Sequence, residues 1–339
     1  MKITIITLAY KHERFIREAL TSALAQSRPA DEVIVVDDAS PDGTAAVIEQ
    51  FLAEHPGRPL RFVRNERNLG VSASFAKAVS IATGDILVMM AGDDVSAPSR
   101  VERCARYLAE HPAAMALITN AAIIDADSRS VGVLDNCAGY SVPVALELKD
   151  LPPGAYFLRG RSSCGAASAY RSEIFRSFAP FREGLYAEDD PAAFRAMLLG
   201  TCDFLPEPLV RWRRHENNLS HGTGARRGPE MAIHFRKCEA MMEQMIADAR
   251  AWAASEPSSV RIQADHAIAS LRFQKAKWAL WAAAHEKGVR LGAFFSASKT
   301  MAGSRPSLWE FLGQLGRPAC RMFMPFTLQR LLANLRRRP

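Results

Sequence analysis

The sequence predicts an α/β fold, a mixed and mostly parallel sheet flanked by helices, with a helical extension at the C-terminus. Two observations carry this prediction. Short apolar runs rich in β-branched residues alternate with helical patterns through the first 90 residues, and such chains form parallel sheets covered on both faces. Beyond residue 218 apolar residues recur every three or four positions, which indicates packed helices.

The predicted strands are four short apolar runs at residues 3–9, 32–36, 60–63 and 86–90. Each of the first three strands is followed by a segment in which apolar residues have helical spacing. A further run at 115–124 predicts another strand. The stretch 129–165 is irregular and rich in proline and glycine. It has two alternative interpretations, a substrate-binding region and an ordinary surface loop.

Charge divides the chain into an acidic body and a basic remainder. Residues 1–210 carry 21 basic and 27 acidic side chains, whereas residues 211–339 carry 22 and 9, so that a net charge of −6 precedes one of +13. Within 305–339, leucines at helical spacing lie among arginines. A helix of this kind can lie on an anionic membrane surface, and docking on the protein's own body is the open alternative.

Composition also excludes several classes of protein. No apolar stretch approaches the ~18 residues that span a bilayer, and MKITIITLAY has the character of a strand rather than a signal peptide. We therefore expect a cytoplasmic protein, with peripheral attachment to the inner face of the cell membrane left open. The six cysteines lack metal-ligand spacing and predict reduced thiols. No zinc finger or aromatic RNA-binding motif is present, and we expect no nucleic-acid partner.

Two adjacent carboxylates, Asp93 and Asp94, come after the predicted strand 86–90, separated from it only by Ala91 and Gly92. Buried carboxylates side by side are costly unless something positive neutralises them. A hard divalent cation such as Mn²⁺ or Mg²⁺ takes oxygen ligands and keeps open positions for substrate phosphates. The pair therefore predicts a metal site. A helix cap is the alternative, because Asp94 or Ser96 could cap a helix that begins at Pro98.

A second acidic pair, Asp37 and Asp38, follows the predicted strand 32–36. A carboxylate so placed can accept hydrogen bonds from a ribose hydroxyl or a base edge, as in dinucleotide sites. No GxGxxG follows the first strand, so the usual dinucleotide fingerprint is absent. A nucleotide site here would hold its phosphates by other means, most simply through a metal.

Two further clusters complete the set of candidate functional segments. The acids at 188–190 precede a helical pattern, where they either compensate the helix dipole or provide a general base whose pKa its neighbours raise. The segment 211–220, RWRRHENNLS, is dense in groups that bind oxyanions or metals. A basic surface strand is the alternative for this segment.

In their order along the chain, these motifs resemble the family 2 glycosyltransferases with a GT-A fold. The resemblance covers residues 1 to about 220. It is carried by ITIITLAY, VIVVDDASPDGT, NLGVSASFAKAVSIATGDILVMMAGDD, SAYRSEIFRSFAPFREGLYAEDD and VRWRRHENNLS. It implies a Rossmann-like GT-A catalytic domain over 1–224 and leaves 225–339 as a helical, basic region. The implied activity is inverting transfer of a sugar from a nucleotide-sugar, first of all a UDP-sugar, to a surface-polysaccharide or lipid-linked glycan acceptor.

The resemblance also implies roles for individual residues. Asp93 and Asp94 would form a DxD-type motif of the AGDD subset and carry Mn²⁺ or Mg²⁺, with His215 as a further metal ligand. Asp189 would be the catalytic base, with Glu188 beside it. The residues implied to bind the nucleotide-sugar are Ala9, Tyr10, Asp37, Asp38, Asn68, Gly70, Asp93, Arg213 and Arg214.

The implied chemistry needs two kinds of group. A carboxylate must take the proton of the acceptor hydroxyl as it attacks the anomeric carbon, and positive charge must stabilise the departing diphosphate. The chain departs from the family pattern at three positions, where Ala9, Phe75 and Ala91 replace a Thr, an Arg and the first Asp of DxD. A metal-dependent nucleotidyltransferase and a non-catalytic, membrane-associated assembly scaffold are the rival functions.

Overall fold

The computed structural model describes residues 1–134, 164–216, 218 and 229–255, together with some of the residues between 264 and 286, all of them helical. Most of the irregular stretch 129–165 and all of the segment 305–339 lie outside these residues. The hypotheses of a substrate-binding region within 129–165 and of a membrane-contacting segment within 305–339 therefore stay predictions.

A mixed sheet forms the centre of the described fold. In chain order its strands are β1 Ile3–Ala9, β2 Glu32–Asp37, β3 Leu60–Arg64, β4 Ile86–Ala91, β5 Val95–Ser96, β6 Ala114–Ile124, β7 Ser130–Leu134, β8 Ser168–Arg171 and β9 Thr201–Arg213. Their spatial order is β3-β2-β1-β4-β8-β6-β9-β5, with β7 paired to β6. Strands β3, β2, β1 and β4 are parallel, as are β6 and β9, whereas β8 is antiparallel to both β4 and β6. The prediction of a mixed, mostly parallel sheet is confirmed.

Helices follow the first three strands as the sequence predicts. The described helices are α1 Ile16–Leu24, α2 Thr44–Glu54, α3 Val71–Ile81, α4 Arg100–Glu110, α5 Glu173–Arg176, α6 Asp189–Leu199 and α7 Pro229–Ser255. A 3₁₀ turn at Gly165–Ala167 precedes β8. Apolar spacing over 231–252 thus predicted α7 correctly. Within the described residues, no helix has an apolar stretch long enough to span a bilayer.

The helix-cap alternative for Asp94 and Ser96 is wrong. Helix α4 begins at Arg100, with Ser99 before it and no side-chain cap hydrogen bond. Ser96 instead lies in the short strand β5, which pairs with β9. Asp94 is therefore not engaged at a helix start, and its burial needs another explanation.

Both faces of the sheet are buried. Ile5 and Ile6, neighbours in β1, are fully buried on opposite faces, because successive side chains of a strand point in opposite directions. Ile5 lies in a cluster with α1, α2 and α4, and Ile6 in one with α3 and α6. Met245 and Ala249 of α7 belong to this second cluster, so the first helix beyond residue 225 contributes to the core beside the sheet.

Candidate active site

The candidate site lies at the carboxyl edge of the parallel strands. In the sheet register, Ala9 of β1 faces Asp37 of β2, and Leu8 faces Ala91 of β4. The loops that follow these strands therefore leave the sheet side by side. The acidic pairs 37–38 and 93–94 are brought to the same edge, where ligands bind in open α/β sheets.

The loops after β1 and β2 are joined by hydrogen bonds. The backbone N–H of Lys11 donates to Oγ of Ser40 at 2.9 Å, and that of His12 donates to Oγ1 of Thr44 at 2.9 Å. Lys11 and Ala39 have φ angles of 60° and 55°, in the left-handed region that non-glycine residues rarely occupy. These two loops form a rim at the edge of the sheet. The rim contains Ala9 and Tyr10, which are predicted to bind the nucleotide-sugar, and it is thus held in one conformation.

Asp38 organises the loop after β3. Its Oδ1 accepts hydrogen bonds from Nδ2 of Asn65 and from the backbone N–H of Leu69, both at 2.8 Å. Its Oδ2 accepts one from the N–H of Gly70, also at 2.8 Å. Nδ2 of Asn68 lies 3.4 Å from the Asp38 carbonyl oxygen. Three residues implied to bind the nucleotide, Asp38, Asn68 and Gly70, therefore lie in one hydrogen-bonded group.

Asp37 is fully buried beneath this rim. Its carboxylate accepts a hydrogen bond from the N–H of Ser40 at 3.2 Å, and Nε of Arg64 lies 3.6 Å from its Oδ2. The Arg64 side chain is more than half exposed. Asp37 is therefore an internal anchor of the turn, and Arg64 places a cation at the edge of the same region.

Asp93 is contacted by three side chains from distant segments. Nε2 of His215 and Nδ2 of Asn218 each lie 3.0 Å from its Oδ2, and Nε2 of His12 lies 3.6 Å away. Burial acts to raise the pKa of Asp93, but His12 and His215 outweigh it and hold that pKa below its ordinary value. The first aspartate of the pair is thus a charged group.

Asp94 has one carboxylate oxygen without a partner. Its Oδ1 accepts a hydrogen bond from the backbone N–H of Arg213 at 2.8 Å, whereas the buried Oδ2 has no hydrogen-bond partner among the described residues. Burial, and then the charge of Asp93, raise the pKa of Asp94 well above its ordinary value. An orphaned carboxylate oxygen beside a charged carboxylate has the donor chemistry that a hard divalent cation requires.

The protein side chains alone supply few metal ligands. Among the described residues, no group of three or more His, Cys, Asp or Glu side chains is arranged to hold a metal ion. Mg²⁺ and ions like it are commonly bound through one or two carboxylates together with substrate phosphates. The pair at 93–94 fits such a site, in which the substrate completes the coordination.

Arg213 is buried behind the acidic pair, whereas Arg214 is exposed. Each guanidinium nitrogen of Arg213 donates a hydrogen bond to the protein, and its side chain is only 1% exposed. The guanidinium of Arg214 lies 5.4 Å from the ring centre of Trp212. The implied roles of both residues in donor binding stay predictions, but the surroundings of the two arginines differ sharply.

The second acidic cluster lies at the start of α6, where the sequence predicts a helix to begin. Oδ2 of Asp189 accepts a hydrogen bond from the N–H of Gly165 at 3.0 Å. Burial raises the pKa of Asp189 to about 6. Burial and then the charge of Asp189 raise the pKa of Glu188 to about 8. The two acids form a tightly coupled pair that carries about one negative charge near neutral pH.

Cys164 is influenced both by the Glu188–Asp189 pair and by the acidic pair at 93–94. Burial raises the pKa of its thiol to about 12, and the carboxylates of Asp94 and Asp189 add to the effect. The two residues that follow Cys164 are held from both sides: Asp189 accepts a hydrogen bond from the N–H of Gly165, and Arg100, whose charge acts on Asp94, donates one to the carbonyl oxygen of Ala166. The predicted base and the predicted metal site belong to one region of the molecule.

Several residues of this region were not predicted from the sequence. They are His12, Glu18, Asn65, Arg100 and Asn218. Arg100 is a fully buried cation that acts on Asp94 and donates a hydrogen bond to the carbonyl oxygen of Ala166 at 2.7 Å. A signal existed for Asn218, which lies inside the segment RWRRHENNLS, but the other four stand in unremarkable helical or loop patterns.

Known relatives and structures resemble this chain. EpsE of Bacillus subtilis, which its name describes as a glycosyltransferase, is 28% identical over 181 residues, 53% of this chain and 60% of EpsE. TuaG of Bacillus subtilis, named for teichuronic acid biosynthesis, is 30% identical over 112 residues, 33% of this chain and 44% of TuaG. The chain spans about 60% of the length of the first curated relatives that it matches.

The fold has a counterpart among solved structures. The crystal structure of S. aureus TarS 1-349 in complex with UDP-GlcNAc has a TM-score of 0.52 and 18% sequence identity. The likeness covers 85% of this chain and 92% of that one. The sequence profile described as glycosyl transferase family 2 matches residues 4–176, just over half of the chain. The chain belongs to glycosyl transferase family 2.

Proposed function

We propose that the chain is an inverting, metal-dependent glycosyltransferase. It moves a sugar from a nucleotide-sugar, with a UDP-sugar as the first candidate, to a surface-polysaccharide or lipid-linked glycan acceptor. The observation that carries the proposal is the acidic pair at the sheet edge, in which both aspartates are buried and Oδ2 of Asp94 has no hydrogen-bond partner among the described residues. Membership of glycosyl transferase family 2 supports it, and the name of TuaG supports the acceptor class.

The donor would lie across the edge of the parallel strands. Its base and ribose would face the rim built around Asp37 and Asp38, with Ala9, Tyr10, Asn68 and Gly70. Its diphosphate would reach Asp93 and Asp94, where Mn²⁺ or Mg²⁺ would neutralise the charge that develops on the leaving group. His215 would be a further metal ligand, and the exposed Arg214 would approach the same end of the donor.

Asp189 would act as the general base. A base must be ionised before the reaction, and a pKa of about 6 leaves the Asp189 carboxylate ionised at neutral pH while keeping appreciable basicity. Glu188, with a pKa of about 8, then holds a proton at the same pH. Asp189 would take the proton of the acceptor hydroxyl as the oxygen attacks the anomeric carbon.

A nucleotide-release assay tests this function. The full chain is incubated with Mn²⁺ and with UDP-, GDP- or dTDP-sugars, and the released nucleoside diphosphate is measured with and without a bacterial lipid extract as acceptor source. We expect one donor class to release its diphosphate only when the metal is present. In a parallel incubation with nucleoside triphosphates and sugar phosphates, release of pyrophosphate would instead identify a nucleotidyltransferase. No release in either incubation would favour a scaffold.

We also propose that residues 305–339 contact an anionic membrane surface. The support comes from the sequence alone, in which leucines at helical spacing alternate with arginines. Such a contact would bring the enzyme to a lipid-linked acceptor on the inner face of the cell membrane.

A further inference from the structure

We infer that Arg213 is a positioning residue, which acts with Glu18 to hold the Asp93–Asp94 turn and does not bind the donor. The inference rests on the proposed function, since the turn matters through the metal and the diphosphate. It assigns a role to Glu18, a residue of α1 that lies outside the motifs identified in the sequence. It also replaces the phosphate contact that the family resemblance implies for Arg213.

The guanidinium of Arg213 is occupied by the protein. Nε donates to the carbonyl oxygen of Asp93 at 2.7 Å, and Nη2 donates to Oε2 of Glu18 at 2.6 Å. Nη1 donates to Oγ of Ser128 at 2.8 Å and to the carbonyl oxygen of Asp125 at 3.1 Å. Because the side chain is only 1% exposed, a phosphate could reach it only by displacing these partners.

Arg213 holds both aspartates of the pair. Its side chain binds the backbone carbonyl of Asp93, and its own N–H binds Oδ1 of Asp94 at 2.8 Å. Two anchors on consecutive residues fix the direction of the turn. The Asp94 carboxylate is then oriented with Oδ1 engaged and Oδ2 left for a ligand.

Glu18 supplies the compensating charge. A buried guanidinium with no counterion would oppose the binding of a divalent cation by Asp93 and Asp94. The Glu18 carboxylate, which also accepts a hydrogen bond from Oγ of Ser128 at 3.1 Å, cancels that charge from outside the site. The pair therefore adds rigidity to the turn without adding net positive charge to the metal site.

Phe15 extends this arrangement toward His215. The guanidinium of Arg213 lies 4.8 Å from the ring centre of Phe15, and that ring lies 4.9 Å from the ring of His215. Displacement of Arg213 would therefore disturb the imidazole that contacts Asp93 as well as the turn. Partners outside the metal ligands commonly have this orienting function in metal sites.

Two measurements test the inference on the full chain. Isothermal titration of Mn²⁺ in the presence of UDP measures the site, and hydrogen exchange of the amides at 92–95 in the absence of metal measures the turn. We expect Glu18→Gln to weaken Mn²⁺ binding by about 10-fold, and Glu18→Ala to accelerate exchange at 92–95. The double variant Glu18→Gln/Arg213→Gln should bind no more weakly than Arg213→Gln alone.

The matched control is Arg17→Gln, which changes the neighbour of Glu18 in α1 and breaks the exposed ion pair between Arg17 and Glu54 of α2. It should leave both measurements unchanged. The inference is overturned if Glu18→Gln binds Mn²⁺ within two-fold of wild type while Arg213→Gln binds far more weakly, since Arg213 would then act on the diphosphate directly. If wild type bound no Mn²⁺ with UDP, the proposed function would fail, and the exchange at 92–95 alone would still decide whether Glu18 holds the turn.

Discussion

Nε2 of His215 lies 3.0 Å from Oδ2 of Asp93, although 122 positions separate the two residues. The contact exists because β9 runs beside β6 toward the edge at which β4 ends, so the segment after β9 returns to the strand-end acids. Asn218 follows in the same segment and donates a second hydrogen bond to Asp93. The phosphate end of the proposed donor site is therefore assembled from two distant parts of the chain.

Replacing Asp189 by Asn should remove the general base and leave donor binding intact. We expect turnover to fall by about 100-fold or more, because general-base catalysis contributes factors of that size, while the affinity for UDP with Mn²⁺ stays within two-fold. The control is Asp190→Asn, the neighbouring carboxylate in the same helical turn, which should retain turnover. If Asp189→Asn turned over at the wild-type rate, the base would have to be another residue.

Glu188 should make stability depend on pH. Burial, and then Asp189, raise its pKa from 4.5 to about 8, so the folded chain holds this proton more tightly than the unfolded chain. As pH rises from 4.5 to 8 the unfolded state gains by releasing the proton, and the free energy of unfolding should fall. Glu188→Gln should reduce this loss and be more stable than wild type at pH 9 by up to about 5 kcal/mol, since the pKa rises by about 3.5 units and one unit corresponds to about 1.4 kcal/mol.

Urea unfolding at pH 5, 7 and 9 measures this effect. The exposed glutamate at position 49 provides the control, because Glu49→Gln should leave the pH profile of wild type unchanged. A Glu188→Gln variant that loses stability with pH as steeply as wild type would show that this carboxyl is not held protonated in the folded protein.

Gly92 should be intolerant of a side chain. A Cβ at this position would lie 2.7 Å from Nδ1 of His12, 3.0 Å from Cδ1 of Ile16 and 3.1 Å from Cβ of Ala9. We expect Gly92→Ala to push the loop after β1 away from Asp93, to lower the melting temperature by several degrees and to weaken Mn²⁺-dependent binding of UDP.

Gly132→Ala is the matched control for Gly92. Its nearest neighbour would be Cδ1 of Ile123 at 3.8 Å, an ordinary contact distance. The control should melt and bind UDP like wild type. Equal behaviour of the two variants would mean that the close packing of His12 against Gly92 has no role in the site.

Deletion of residues 305–339 should release the protein from anionic membranes. The full chain is expected to sediment with phosphatidylglycerol vesicles and much less with phosphatidylcholine vesicles, because arginines need an anionic surface. The shortened chain should stay in the supernatant with both. If the full chain failed to sediment with the anionic vesicles, the segment would have to have another role.

Much of the fold follows from local pattern. The apolar runs predicted β1 to β4 within about one residue, and the three-and-four spacing predicted α7, because burial on a sheet or helix imposes these periods. Strand β9 was harder to predict. Its sequence contains Pro206 and Pro208, and its pairing with β6 shifts register near Asn120, so it breaks the alternation that marks a regular strand.

The site was predictable to the extent that its residues sit next to predicted elements. Asp93 and Asp94 follow a buried strand, which is a local signal. His12, which contacts Asp93, and Glu18, which reaches the pair only through Arg213, could not be predicted, because the loop after β1, helix α1 and the end of β9 meet only in the folded chain. Arg213 shows the same limit, since its charge suggested a phosphate ligand, whereas the contacts on which we base a positioning role come from distant segments of the chain.

The most direct measurement of the proposed function is the melting temperature of wild type and of Asp94→Asn with UDP, GDP or dTDP, each with and without Mn²⁺. A ligand that binds only the folded state raises the melting temperature. We expect one nucleoside diphosphate to stabilise wild type in the presence of Mn²⁺ and much less in its absence. Asp94→Asn should lose this metal-dependent increase while melting no lower than wild type without ligand, because burial disfavours the charge it removes. Wild type that shows no increase with any of the three nucleotides and Mn²⁺, or Asp94→Asn that keeps the full increase, would contradict the account.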